Sequence, residues 1–143
     1  MAANTCLFCR IASGDVPATV VYEDQFTLTF LDHRPLFPGH CLVVPKEHYE
    51  TLGDLPRSLV APVFETVQLL AQAVELALEA EGTFVALNNR VSQSVPHLHV
   101  HVVPRKKKDG LKGFFWPRTK YAGEESMADI KQRIVSAIAK LQK

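Results

Sequence analysis

The segment Gln93-Ser94-Val95-Pro96-His97-Leu98-His99-Val100-His101-Val102-Val103-Pro104 constrains this chain more than any other. Histidine alternates with an apolar residue through His97, His99 and His101, and a period of two belongs to a β-strand, where successive side chains leave opposite faces. The pattern predicts a strand from His97 to Val103, ended by Pro104. Leu98, Val100 and Val102 then turn into a core, and three imidazoles line the other face. With 6 histidines among 143 residues, chance supplies this spacing only about 0.006 times per chain of strand periodicity. A face built only for solvation would use Thr, Lys or Glu, so the histidines are read as chemistry.

Residues two apart on a strand have Cα atoms about 6.6–6.8 Å apart. Neighbouring imidazoles can therefore hold opposite sides of one phosphate. Near neutral pH an uncharged imidazole offers a lone pair for attack, and its neighbour can give a proton to the departing group. A nucleophilic imidazole also needs its other nitrogen donating to a fixed acceptor, commonly a backbone carbonyl. His40 is a candidate helper that orients His97 or shares a proton with it. Two rivals use the same residues: His-x-His plus a distant histidine describes a catalytic zinc site, and a non-catalytic nucleotide-binding scaffold needs only the pocket.

Elsewhere the pattern predicts strands at Val20 to Glu23, Phe26 to Leu31, His40 to Val44 and Thr83 to Leu87. The second is a half-buried alternation, and the third is stopped by Pro45. An apolar stripe of Leu59, Val63, Val67, Leu70, Val74 and Leu78 predicts a long helix from Pro56 to Glu81, with Gly82 as its stop. A second amphipathic helix runs from Glu124 to Leu141, acids early and lysines late. The expectation is α+β: an antiparallel sheet of about five strands with a long helix and a C-terminal helix, as a single domain over 1–143. A formal net charge of +1 argues against a nucleic-acid or membrane-surface partner. No apolar run approaches the length of a membrane span, and Met1 to Thr5 lacks the marks of a signal peptide, so a cytoplasmic protein is expected.

His97-Leu98-His99-Val100-His101-Val102-Val103 resembles the signature of the histidine triad (HIT) family. The similarity extends to Phe30-Leu31-Asp32, to Pro38-Gly39-His40-Cys41-Leu42-Val43-Val44-Pro45-Lys46 and to Gln93-Ser94-Val95, covering roughly residues 6 to 105. The resemblance implies a HIT-like fold whose sheet continues across a homodimer. It also implies hydrolysis or transfer at the α-phosphorus of an AMP conjugate, a nucleoside phosphoramidate or a dinucleoside polyphosphate. The nucleophile would be His99, through a nucleotidyl-histidine intermediate; His101 would contact phosphate and leaving group, with His97 and His40 in support. Asp32 offers two acceptor oxygens to ribose hydroxyls. Phe8, Ile11, Phe30 and His33 match positions that wall the purine. Gln93, Ser94 and either Asn88 or Asn89 are the phosphate contacts. Ser92 stands where the family usually has glycine.

Cys6-Leu7-Phe8-Cys9 is a Cys-x-x-Cys pair, and three cysteines do not suggest a disulfide framework. Some bacterial-type members of the family carry zinc on such a pair plus two histidines, and the matching positions here are His48 and His97. With four ligands that zinc would be structural. No organic cofactor is expected. Cys41 is read as core, and Lys106 to Gly113 with Phe114-Phe115-Trp116 as a solvated loop and a packing segment.

Overall fold

One antiparallel sheet organises the chain between Val20 and Arg105. Its strands are β1 (Val20–Glu23), β2 (Thr27–Leu31), β3 (Cys41–Pro45), β4 (Gly82–Ala86) and β5 (Val100–Arg105), in the spatial order β1-β2-β3-β5-β4. The described residues also form three α-helices, α1 (Leu7–Ala12), α2 (Arg57–Leu78) and α3 (Glu124–Leu141). The computed structural model describes residues 5–111 and 118–142. They fall into two units, Met1–Asp109 and Gly110–Lys143, and the fold class is the α+β expected from the pattern.

The sheet is covered on both faces of its centre. On one face α2 sets Val63, Val67, Leu70 and Val74 against Cys41 and Val43 of β3 and Val100 and Val102 of β5, with Leu98 in the same cluster. On the other, α1 sets Phe8 against Leu28, Phe30, Leu42 and Val44. This double cover corrects the half-buried reading of β2. Thr27 and Thr29, expected toward solvent, lie at 0% exposure beneath α2. The β1–β2 turn also shortens that strand. Asp24 Oδ1 accepts from the backbone N–H of Phe26 and of Thr27, both at 2.8 Å, so the ladder starts at Thr27 and Phe26 is exposed.

Both prolines expected to stop strands are strand residues instead. Pro45 pairs with Thr27 at the end of β3, and Pro104 pairs with Thr83 of β4. Pro104 lies beyond the β3–β5 register, which ends at Cys41↔Val102, so its missing N–H removes no ladder bond there. The long helix stops earlier than expected. Glu79 takes the left-handed conformation (φ 51°) as its C-cap, and Gly82 opens β4 rather than ending α2. Gly39 is required by its φ of +99°, and a Cβ there would also displace the end of the Leu78 side chain.

By length and composition α2 is apolar enough to cross a membrane, with a mean hydropathy of 1.3 over its most apolar window. Its buried stripe is packed on the sheet, and Glu65 faces out. In the second unit, α3 has Glu124 and Glu125 in its first turn, Lys140 in its last, and an Asp129–Arg133 ion pair at 3.0 Å. None of its residues is buried, and Met127, Ile134 and Ile138 mark an exposed apolar stripe.

A candidate active site floored by two histidines

The triad segment keeps its alternation but not its pairing. Only His101 lies within β5; His97 and His99 precede it. Leu98 N–H donates to the Tyr49 carbonyl at 2.7 Å and His97 N–H to the Val95 carbonyl at 2.8 Å, so a loop, not a ladder, holds this stretch. The three imidazoles consequently part company. His99 and His101, with ring centroids 5.0 Å apart, reach a cleft of about 540 Å³ on the α1 side of the sheet. His97, fully buried, does not line that cleft and faces Cys6, Cys9 and His48.

Hydrogen bonds assign each proton, because a carbonyl only accepts and a backbone N–H only donates. His99 Nδ1 lies 2.8 Å from the His97 carbonyl, so it carries the proton and Nε2 holds the free lone pair. His40 Nδ1 accepts the Leu36 N–H at 3.0 Å, which puts the proton of a neutral His40 on Nε2. That Nε2–H points at His101 Nδ1, 2.9 Å away, and so fixes the proton of neutral His101 on its Nε2. The helper role expected of His40 thus falls on His101 rather than His97. Burial pushes His99 and His40 below the ordinary histidine value. Burial, then its neighbours His99 and His40, push His101 down to about 4. The rings are neutral at neutral pH.

The walls of the cleft come from α1 (Leu7, Phe8, Ile11), the loop Val16 to Thr19, and the end of β2 with Asp32 and His33. Phe30 and Leu42 line its base, and Ser94 and Val95 its rim. Asp32 Oδ1 accepts the Arg34 N–H at 2.9 Å, and Oδ2 stands 3.7 Å from His40 Nε2. Of the expected phosphate contacts only Ser94 lines the cleft. Gln93 is spent elsewhere, donating to the Glu50 carbonyl and accepting the Arg90 N–H of its own loop. Asn88 donates to the Ser92 carbonyl, and Asn89 accepts the Leu52 N–H. Arg90 and Ser92 bear backbone strain in this loop at φ 68° and 61°, a conformation that glycine would adopt without strain. Leu7, Leu42 and Val95 were not foreseen; of these only Leu42 had a sequence signal, as an alternate residue of the strand facing His101.

The second cluster fits a metal ion. Its donor atoms are separated by 3.4 Å (Cys6 Sγ to His97 Nδ1), 3.4 Å (Cys9 Sγ to His48 Nδ1), 3.5 Å (Cys9 Sγ to His97 Nδ1) and 3.2 Å (His48 Nδ1 to His97 Nδ1). A zinc tetrahedron with Zn–S near 2.3 Å and Zn–N near 2.05 Å has S···N edges of about 3.5 Å and N···N edges of about 3.3 Å. His97 is also in the right tautomer: its Nε2 donates to the Pro45 carbonyl at 2.8 Å, leaving the Nδ1 lone pair aimed into the cluster. Asp32, His40 and His101 also converge, but there His40 would need both ring nitrogens as acceptors, one for Leu36 N–H and one for the metal. That demands an imidazolate, so this trio is a poor metal site. Residues 112–117, with Phe114, Phe115 and Trp116, lie outside the described residues.

An open five-stranded antiparallel sheet with a helix on each face and two tautomer-fixed histidines flooring a cleft defines the class. The HIT domain family model matches residues 13–108, and the chain belongs to that histidine triad family. It is similar to adenylylsulfatase HINT3 of Arabidopsis thaliana, 39% identical over 76% of this chain and 56% of that longer protein. It is likewise similar to adenosine 5'-monophosphoramidase hnt1 of Schizosaccharomyces pombe, 33% identical over 87% of this chain and 92% of that one. Among solved structures, a Zn-bound histidine triad family protein from Mycobacterium smegmatis superposes with a TM-score of 0.73 at 38% identity, over 99% and 98% of the two chains.

Proposed function

We propose that this chain is a nucleotidyl hydrolase or transferase acting at the α-phosphorus of an AMP conjugate, through a nucleotidyl-His99 intermediate. The observation that carries the reading is the His99 ring. Its Nδ1 proton is tied to the His97 carbonyl and its Nε2 lone pair is open to the cleft, beside the Nε2–H of His101. Nε2 of His99 forms a P–N bond as the conjugate's bond from phosphorus to its leaving atom breaks. The Nε2–H of neutral His101 donates a hydrogen bond to that leaving atom, which takes its proton from water as it departs. Water then attacks the phosphorus, loses a proton to solvent and breaks the P–N bond, which releases AMP and regenerates His99. Two relatives named for AMP-conjugate cleavage support the substrate class.

In this reading the ribose sits against Asp32, the purine against Phe8, Ile11, Phe30 and His33, and the phosphate near Ser94. A zinc ion is held by Cys6, Cys9, His48 and His97 and is structural, since four protein donors complete its tetrahedron. The chain forms a homodimer in solution.

The test is a parallel assay with an adenosine 5'-phosphoramidate and a diadenosine polyphosphate, with acid-quenched mass spectrometry for adenylyl label on His99. His99→Ala should lose both label and turnover, by several orders of magnitude. Turnover that persists in that variant would refute the mechanism, and AMP binding without turnover in the unaltered protein would favour a scaffold.

A further inference from the structure

The two sites share a wall. Phe8 lies between the thiols of Cys6 and Cys9 in sequence, and its ring meets three others edge-on. These are His97, a ligand of the metal cluster, at 5.9 Å; His99, on the cleft floor, at 5.1 Å; and Phe30, at the cleft base, at 5.3 Å. Phe8 itself is buried and lines the cleft.

α1 has six residues, too few to hold a helix on propensity alone. Its place on the sheet depends on Phe8 packing over Leu28, Phe30, Leu42 and Val44, and on its two thiols reaching His48 and His97. The backbone adds a second link, because the carbonyl of His97 is what holds His99 Nδ1–H. Whatever fixes the His97 ring therefore also fixes the angle of the helix wall and the nitrogen that His99 presents.

We propose that occupation of the Cys6/Cys9/His48/His97 centre and occupation of the nucleotide cleft are thermodynamically coupled through Phe8. The metal orders α1 in the position that closes the cleft, and a nucleotide seated against Phe8 holds α1 over the metal. This rests on the AMP-conjugate reading and on the zinc assignment, and adds a link between them. Coupling is reciprocal, so each ligand tightens the other by one common factor.

The experiment follows zinc, not turnover. Zinc-loaded protein is titrated with a competing chelator, without AMP and with AMP at saturation. The expected result is an apparent zinc affinity about tenfold tighter with AMP, within the usual range of such couplings, and AMP binding weaker by the same factor in zinc-stripped protein. Phe8→Ala should bind both ligands with a ratio near one, and Phe8→Leu serves if the smaller side chain fails to fold. Equal zinc affinity with and without AMP would overturn the coupling while leaving both sites standing. A ratio kept by the Phe8 variants would overturn its route through Phe8. Loaded protein that holds no AMP would overturn the functional reading, and a chain that takes up no zinc would overturn the metal reading; the coupling falls with either.

Discussion

His101 sits against His40 and His99, and burial with those neighbours lowers it to about 4 from the ordinary 6.5. In the unfolded chain the same ring takes a proton near 6.5. Between these values the unfolded state binds more protons, so stability falls with acid from pH 6.5 toward about 4 and levels off below. His101→Gln should therefore show a shallower loss of urea midpoint across that window than the unaltered protein. Matching slopes would mean that the fold does not hold this ring neutral. The same placement sets its chemistry, because the proton on His101 Nε2 exists only while Leu36 N–H and His40 fill the nitrogens behind it. The rings themselves were legible in the sequence, as was the need for an acceptor behind the nucleophile. The groups that decide the tautomers are the carbonyls of His97 and Pro45 and the N–H of Leu36, backbone groups that do not depend on side-chain type. For that reason His97 could be read as both triad member and zinc ligand until its Nδ1 was seen facing the thiols, away from the cleft.

On strand β2 two threonines with equal burial have opposite worth. Thr27 Oγ1 lies 2.9 Å from Thr66 Oγ1 of α2 and 3.1 Å from Asp24 Oδ1. Thr29 Oγ1, on the same face, is buried with no hydrogen-bond partner among the described residues. An unpaired buried hydroxyl costs about 1–3 kcal/mol. Thr29→Val should accordingly raise unfolding free energy by about 1 kcal/mol, whereas Thr27→Val should lower it by a similar amount, because Thr66 and Asp24 lose a partner. Urea unfolding of the two variants checks both signs. A Thr29→Val protein less stable than the parent would show that the hydroxyl is satisfied in solution. The sequence supplied the period of this strand and of β3, but not the cover. Alternating Thr and apolar residues describe a sheet with one wet face equally well, until α2 is placed over the threonines. α1 escaped notice altogether, since its six residues carry too short a pattern to register as a helix, and its capping group is the thiol of Cys6 receiving Cys9 N–H.

A sheet of order β1-β2-β3-β5-β4 leaves two edges, and they are not equivalent. β1 is four residues long with an irregular register between Val20 and Tyr22, a feature that discourages pairing with another chain. β4 keeps an unbroken register with β5 from Gly82 to Ala86 and turns Val85 outward at 43% exposure. The homodimer we propose joins the sheets of two copies along β4, antiparallel by two-fold symmetry. The resemblance in the triad segment pointed to this assembly, yet nothing in the spacing of Gly82 to Ala86 distinguishes an edge strand from a central one; only the pairing order does. A charge at the seam separates the cases. Val85→Lys would sit opposite its own symmetry mate or close to it, so sedimentation velocity should find the unaltered protein at twice the chain mass and the variant at one. Since Val85 pairs with Val102 and makes none of the hydrogen bonds that fix His99 and His101, each isolated subunit should still accept the adenylyl label on His99. A variant that stays dimeric would move the interface off β4, with the exposed stripe of α3 as the next surface to alter.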